Sequence, residues 1–245
     1  MDRSDPVSTA RALVSARFPD ARQAWLAGSV VHGRATATSD LDVTVLLDET
    51  EVRRESLSHE GWPVELFVHT PASVRHFVGV DRARRRPTMA RLVATGVPLL
   101  PGDAGADLVA ECAAVLQAGP GPLPEPDLAL ARYALSDLLD DLAGSSDRSD
   151  AGPATTAVAV EVWRTSAELL LGSCARWSGT GKWLVREVEA LDADLGTSYA
   201  PRLDTGLRAT LAGDPSSLTS VADDVLDRVG GRLWAGYAAS AELPD

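Results

Sequence analysis

Apolar positions recur with a period of two in the first half of the chain and with helical spacing in the second. Runs rich in Val and Leu, bounded by Gly, Thr and Ser, predict strands over 23–28, 41–47 and 62–69, with a short extra strand over 97–100. In the third run Val64, Leu66 and Val68 alternate with Glu65, Phe67 and His69, the pattern of a strand with one buried face. A helix is expected over 8–18, with Ala12, Leu13 and Ala16 on one side and Pro19 just beyond its end. Further helices are expected over 71–77 and 89–95, one more opening at Gly28-Ser29, and a charged turn over 48–60. Prolines at 120, 122, 124 and 126 exclude both helix interior and central strand, and so mark a linker.

Beyond the linker, Leu128, Ala131, Leu135, Leu138 and Leu142 form one stripe of a helix over 127–142. A polar break over 144–153 follows, then helices over 154–177, 182–191 and 218–239. Short connections between them make an antiparallel bundle the natural packing. The expected fold is therefore an α/β (α+β) core with a small mixed sheet, followed by an all-α helical bundle. The expected boundaries are a catalytic domain over 1–118, a linker over 119–126 and a bundle over 127–245.

The richest chemistry lies in Gly28-Ser29-Val-Val-His32-Gly33, followed by Ser39-Asp40-Leu41-Asp42. Residues two apart on a strand share a face, so Asp40 and Asp42 project together while Leu41 faces the core. Two such carboxylates repel unless a cation lies between them, and a hard divalent ion with oxygen ligands is the usual partner. Gly28 permits close backbone approach to a ligand, and Ser29 adds a hydroxyl at the turn. The segment reads as a holder for a metal-bound polyphosphate.

This arrangement resembles the DNA polymerase β-like nucleotidyltransferase superfamily, whose signature is Gly-Ser, a spacer of about ten residues, then Asp-x-Asp. Gly33 and Ser39 also fall where small residues recur in the bacterial antibiotic nucleotidyltransferases. The resemblance implies a third carboxylate on a neighbouring strand, a place that Glu65 fills. It implies that Asp40, Asp42 and Glu65 bind two Mg²⁺ ions, with Glu65 also a candidate base, and that Gly28 and Ser29 hold the phosphates of ATP or another nucleoside triphosphate. The core-plus-bundle layout resembles the aminoglycoside and lincosamide enzymes, in which the bundle binds the acceptor; the segment 132–141 resembles their first bundle helix. The implied reaction moves AMP, or another nucleotide, to a hydroxyl of a small cationic acceptor and releases pyrophosphate.

Charge sharpens the choice of partner. The net charge is −12, and it is unevenly placed: residues 1–120 carry 13 Arg against 15 acids, whereas 121–245 carry 10 basic against 20 acidic residues. An acidic second half disfavours nucleic acid, which needs clustered positive charge. It suits a cationic small substrate or a basic protein surface, or simply a soluble acidic surface. No apolar run reaches membrane-spanning length and the first residues lack a signal-peptide pattern, so a cytoplasmic protein is expected. Cys112 and Cys174 show neither pairing nor metal spacing.

Several other features stay open or fall away. Lys182 is the single lysine of the chain, at an expected helix start, and reads either as a triphosphate contact or as a surface residue. The stretch 179–182 resembles the end of a phosphate loop, but Arg176 and Trp183 stand where that motif needs Gly and Ser or Thr. The arginines at 82 and 84–86 read as a solvated loop, with a triphosphate contact as the alternative. His32 reads as a loop residue, Glu161 and Glu168 as a helix surface, Asp137 and Asp140 as solvated or acceptor-binding, and most tryptophans as core. Two competing functions remain: a protein adenylyltransferase of toxin–antitoxin type, and a catalytically silent nucleotide-binding module.

Overall fold

In the computed structural model, which describes residues 3–146 and 152–240, the chain divides into two units, Met1–Gly119 and Pro120–Asp245. The first begins with α1 (Pro6–Arg17), whose first turn is capped by Asp5 accepting from the Ser8 N–H. Then come β1 (Gln23–Ala27), a single 3₁₀ turn (Ser29–Val31), β2 (Leu41–Leu46), β3 (Arg53–His59) and β4 (Trp62–His69). The unit ends with α2 (Pro71–Ala83), α3 (Thr88–Ala94), β5 (Val97–Pro98) and α4 (Ala106–Ala118). The strands form one sheet in the order β3-β4-β2-β1-β5. β2 and β4 run parallel and the other neighbours antiparallel, which makes the sheet mixed.

The pleat sorts the side chains into two cores. Leu41, Val43 and Val45 of β2 and Val64, Leu66 and Val68 of β4 join Ala10, Leu13 and Val14 of α1 on one face. The other face buries Trp25 and Leu46 against Val74 of α2, Met89, Ala90 and Val93 of α3, and Leu108 and Cys112 of α4. This second face also carries Asp42 and Thr44 of β2 and Glu65 and Phe67 of β4, since they alternate with the first set.

Two expectations need correction here. The span 48–60, expected as a charged turn, contains β3, paired with β4 from Arg53↔Val68 to His59↔Trp62. Its period of two is present, but only Leu57 supplies an apolar contact, and charges suit an edge strand. The helix expected to open at Gly28-Ser29 is one 3₁₀ turn, because Gly33 takes a positive φ of 66° and the chain turns again between Thr36 and Ser39. The helix α2 runs on to Ala83 rather than ending at 77, and α4 is additional.

The second unit, among its described residues, holds α5 (Glu125–Ser146), α6 (Pro153–Ser173), α7 (Lys182–Leu195), α8 (Tyr199–Leu211) and α9 (Ser216–Asp227). Leu135, Leu139, Val162, Leu170, Leu184, Val188, Leu203 and Val225 share its core. Residues 147–151 of the expected polar break lie outside the described residues. The helix α8 was not foreseen, although its start is held firmly. Buried Asp192 at the end of α7 accepts from the N–H groups of Tyr199 and Ala200 at 2.8 and 2.7 Å and from the Thr197 hydroxyl at 2.5 Å. The last helix stops at Asp227 rather than 239, because Gly230 and Gly231 take positive φ values of 103° and 80°. The following segment lies along α5: Arg132 donates to the carbonyls of Gly230 and Gly231, and Ser136 Oγ accepts from the Leu233 N–H at 2.9 Å.

Candidate active site

The register of the central strands brings the acidic residues together. Asp42 lies opposite Glu65 across the parallel β2–β4 pair and opposite Ala27 across β1–β2. Asp40 immediately precedes β2. One carboxylate oxygen from each of Asp40, Asp42 and Glu65 lies within 4.8 Å of the other two, and all three side chains are half-buried. Three like charges this close repel strongly, and hard oxygen donors so placed suit a hard divalent cation.

Gly28, the residue after β1, has φ 85° and ψ −165°, a conformation that is open to glycine almost alone. A Cβ there would stand 2.4 Å from Asp42 Oδ2, so the missing side chain leaves the space that the carboxylate fills. The next residue, Ser29, places its Oγ 2.8 Å from Ser39 Oγ. Ser39 Oγ also accepts the Thr36 N–H at 2.8 Å, and the Ser39 carbonyl accepts from Arg3 Nη1 at 3.0 Å. The two ends of the 29–39 loop are therefore pinned to one another directly in front of the carboxylates.

Arg54 of the edge strand reaches this cluster, and the sequence motif does not include it. Arg54 of β3 lies opposite Phe67 and is the diagonal neighbour of Glu65, which lies opposite Ser56. Its Nη2 donates to both Glu65 oxygens, at 2.7 Å to Oε1 and 2.6 Å to Oε2, while the guanidinium lies over the Phe67 ring at 5.2 Å. The alternation of β3 would have pointed to Arg54 once that span was read as a strand beside β4.

The remaining candidates are placed as follows. Lys182 is exposed at the first position of α7, in the second unit. Arg82 is exposed in the last turn of α2, Arg84 and Arg86 are exposed beyond it, and Arg85 is half-buried. Glu161 and Glu168 flank Arg164 in an exposed ion-pair ladder, at 2.5 Å each, as a helix surface does. Asp140 pairs with Arg232 at 3.3 Å. His32 Nε2 lies 3.5 Å from the Thr95 hydroxyl. Trp25, Trp62 and Trp177 are buried, but Trp183 and Trp234 are exposed, the latter stacked on Tyr133. The second unit also contains a cavity of about 410 Å³ lined by Trp163, Val188, Glu189, Asp192, Leu203 and Asp204 among others.

A family model matches the segment that carries the cluster. Residues 7–78 match the family model described as a nucleotidyltransferase domain, a span that holds all three carboxylates, Gly28, Ser29 and Arg54. Among curated proteins none matches the sequence significantly. A solved structure of a nucleotidyltransferase-like protein from Exiguobacterium sibiricum is similar at 13% identity and a TM-score of 0.40, over 91% of this chain and 79% of that one.

Proposed function

We propose that this chain, whose residues 7–78 match the nucleotidyltransferase-domain family model, transfers a nucleoside monophosphate from a triphosphate, ATP in the first instance, to a hydroxyl of a small cationic acceptor. The observation that carries this reading is the convergence of Asp40, Asp42 and Glu65 within 4.8 Å beside a glycine whose absent side chain leaves room for Asp42. The residues fit divalent metal: three hard oxygen donors on one sheet face, at a spacing that one or two ions can bridge.

Asp40 and Asp42 would hold the ions, and Glu65 would complete one metal site. Bound Mg²⁺ would offset the charge of the triphosphate and stabilise the attacking and leaving oxygens of an in-line displacement. Ser29 and the backbone at Gly28 are assigned to the terminal phosphates. With Ser39 Oγ donating across its 2.8 Å contact to Ser29 Oγ, the Ser29 hydroxyl hydrogen would be left for a phosphate oxygen. In the reaction the acceptor oxygen bonds to the α-phosphorus as the α–β phosphoanhydride breaks. Pyrophosphate leaves with the bonding pair, and the acceptor's proton passes to a carboxylate of the cluster, with Glu65 the candidate.

Charge supports the cationic acceptor. The second half is strongly acidic, and its cavity combines the Trp163 indole with Glu189 and Asp204, an environment suited to an organic cation. We assign the nucleotidyltransferase core to residues 1–118 and acceptor binding to the helical region 127–245.

The test is Mg²⁺-dependent pyrophosphate release from each nucleoside triphosphate against a panel of hydroxylated amines, aminoglycosides and lincosamides included. Asp40→Ala and Asp42→Ala serve as controls. Release that requires both an acceptor and the two aspartates is the expected result. Label transferred instead to a macromolecule would replace the small acceptor by a protein. Absence of nucleotide binding altogether would refute the catalytic reading.

A further inference from the structure

Arg54 stands out because it makes an intimate contact with one of the three carboxylates without belonging to the motif. A single nitrogen, Nη2, sits in the fork of the Glu65 carboxylate, 2.7 and 2.6 Å from its two oxygens. That is the position a bidentate cation would take on the same group. The Glu65 side chain is only 26% exposed whereas that of Arg54 is 62% exposed, so the arginine is the partner with more open solvent to turn into. Arg54 also lies on β3, the edge strand, where its guanidinium rests on the Phe67 ring and can leave without opening a core.

We propose that Arg54 is the counter-ion of Glu65 in the metal-free enzyme and is displaced from it when a divalent cation binds. The inference rests on the metal-site reading above. Its physical basis is competition: a unit positive charge and a doubly charged ion cannot share the same two lone-pair directions, and each weakens the hold of the other. In the metal-free protein Arg54 offsets part of the repulsion among Asp40, Asp42 and Glu65, and so keeps the cluster assembled without a cation. On metal binding the guanidinium is released at the rim of the site. Arg54 is a positioning residue, acting through Glu65. Arg53, the preceding residue, provides an internal contrast: it points to the other sheet face and pairs with Glu55 at 2.6 Å.

The experiment is Mn²⁺ binding to the full chain without nucleotide, followed by electron paramagnetic resonance and calorimetry. The variants are Arg54→Gln, Arg53→Gln, Glu65→Gln, Asp40→Asn with Asp42→Asn, and the pair Arg54→Gln with Glu65→Gln. Removing a competing charge at roughly 5 Å from the ion near the surface should tighten Mn²⁺ binding about tenfold in Arg54→Gln. Arg53→Gln should change it by less than about twofold, since that charge does not touch the cluster. In the Glu65→Gln background the effect of Arg54→Gln should nearly vanish, because the competition runs through that carboxylate.

Unchanged or weaker binding in Arg54→Gln overturns the proposal. So does an equal gain in both backgrounds, which would show a general field effect instead. Arg54→Lys keeps the charge but not the planar fit, and should fall between wild type and Arg54→Gln. If Mn²⁺ binding by the wild type does not depend on Asp40 and Asp42, the metal-site reading itself fails. If that dependence holds and Arg54→Gln is silent, only the role of Arg54 fails.

Discussion

Replacing Gly28 by alanine tests the geometry of the site at its tightest point. The backbone there, φ 85° and ψ −165°, carries a strain of about 1–3 kcal/mol for any residue with a Cβ. The added carbon would also stand 2.4 Å from Asp42 Oδ2 and 3.3 Å from Asp42 Cγ. Relief comes most easily by moving the carboxylate, a side-chain end rather than backbone, by roughly 1 Å. A displacement of that size at a reacting centre costs about 100-fold in rate. The fold should therefore survive with a loss of about 2 kcal/mol, while nucleotidyl transfer falls about 100-fold and Mn²⁺ binding weakens. Gly33→Ala is the matched control: its φ of 66° imposes a similar kind of strain, but nothing lies within 4 Å of the added carbon. It should lose about 1 kcal/mol and keep its activity within a few-fold. Chemical denaturation followed by tryptophan fluorescence, beside pyrophosphate release, measures both. Equal activity in the two variants, with both folded, would refute the account of Gly28 as the space that Asp42 needs.

Gly206→Ala should destabilise the helical region by about 1–3 kcal/mol, because its Cβ would meet the backbone of Leu218 at 2.8 Å and neither helix can yield cheaply; a melting temperature unchanged from wild type would contradict this. Burial pushes the His69 imidazole below its usual range, so the folded state binds its proton less readily than the unfolded chain. The stability from its neutral form is complete above the unfolded value of about 6.5 and is lost as pH falls toward the lower folded value. His69→Gln should flatten the decline in stability between about pH 7 and 5, and parallel curves for variant and wild type would exclude the assignment. Burial also pushes the Cys112 thiol up to about 11, whereas Cys174 is half-exposed. A thiol reagent near pH 8 should label Cys174 alone in the folded protein, and rapid labelling that persists in Cys174→Ser would count against it.

The elements whose burial pattern is simple were legible in the sequence. β1, β2 and β4 are buried on at least one whole face, so their apolar spacing is visible in a short window, as is the stripe of α5. What escaped lacked that signature. β3 takes its strand conformation from pairing with β4, and charges on both faces disguised its period. α8 carries Pro201 and Gly206, two residues that argue against a helix in isolation; Pro201 falls in the first turn, and Gly206 is required by the close approach of Leu218. The stop of α9 depends on Gly230 and Gly231, whose carbonyls are taken by Arg132, about a hundred residues earlier in the chain. Long-range partners of this kind leave no local trace.

The candidate site divides along the same line. Asp40, Asp42, Gly28 and Ser29 lie within fifteen residues of one another, and the strand period alone orients the two aspartates. Glu65 follows from the alternation of β4, given that β4 lies beside β2. Arg54 needs one inference more: the antiparallel register that sets Ser56 opposite Glu65, and so puts Arg54 on the diagonal. A motif read along the chain collects the carboxylates, all of one charge, and by itself leaves their repulsion to a bound cation. The sheet adds a residue from the edge strand that answers part of that charge within the protein. On the proposal made above, three clustered carboxylates would thus be held together before an ion arrives, and the affinity for the ion would reflect an exchange of partners at Glu65.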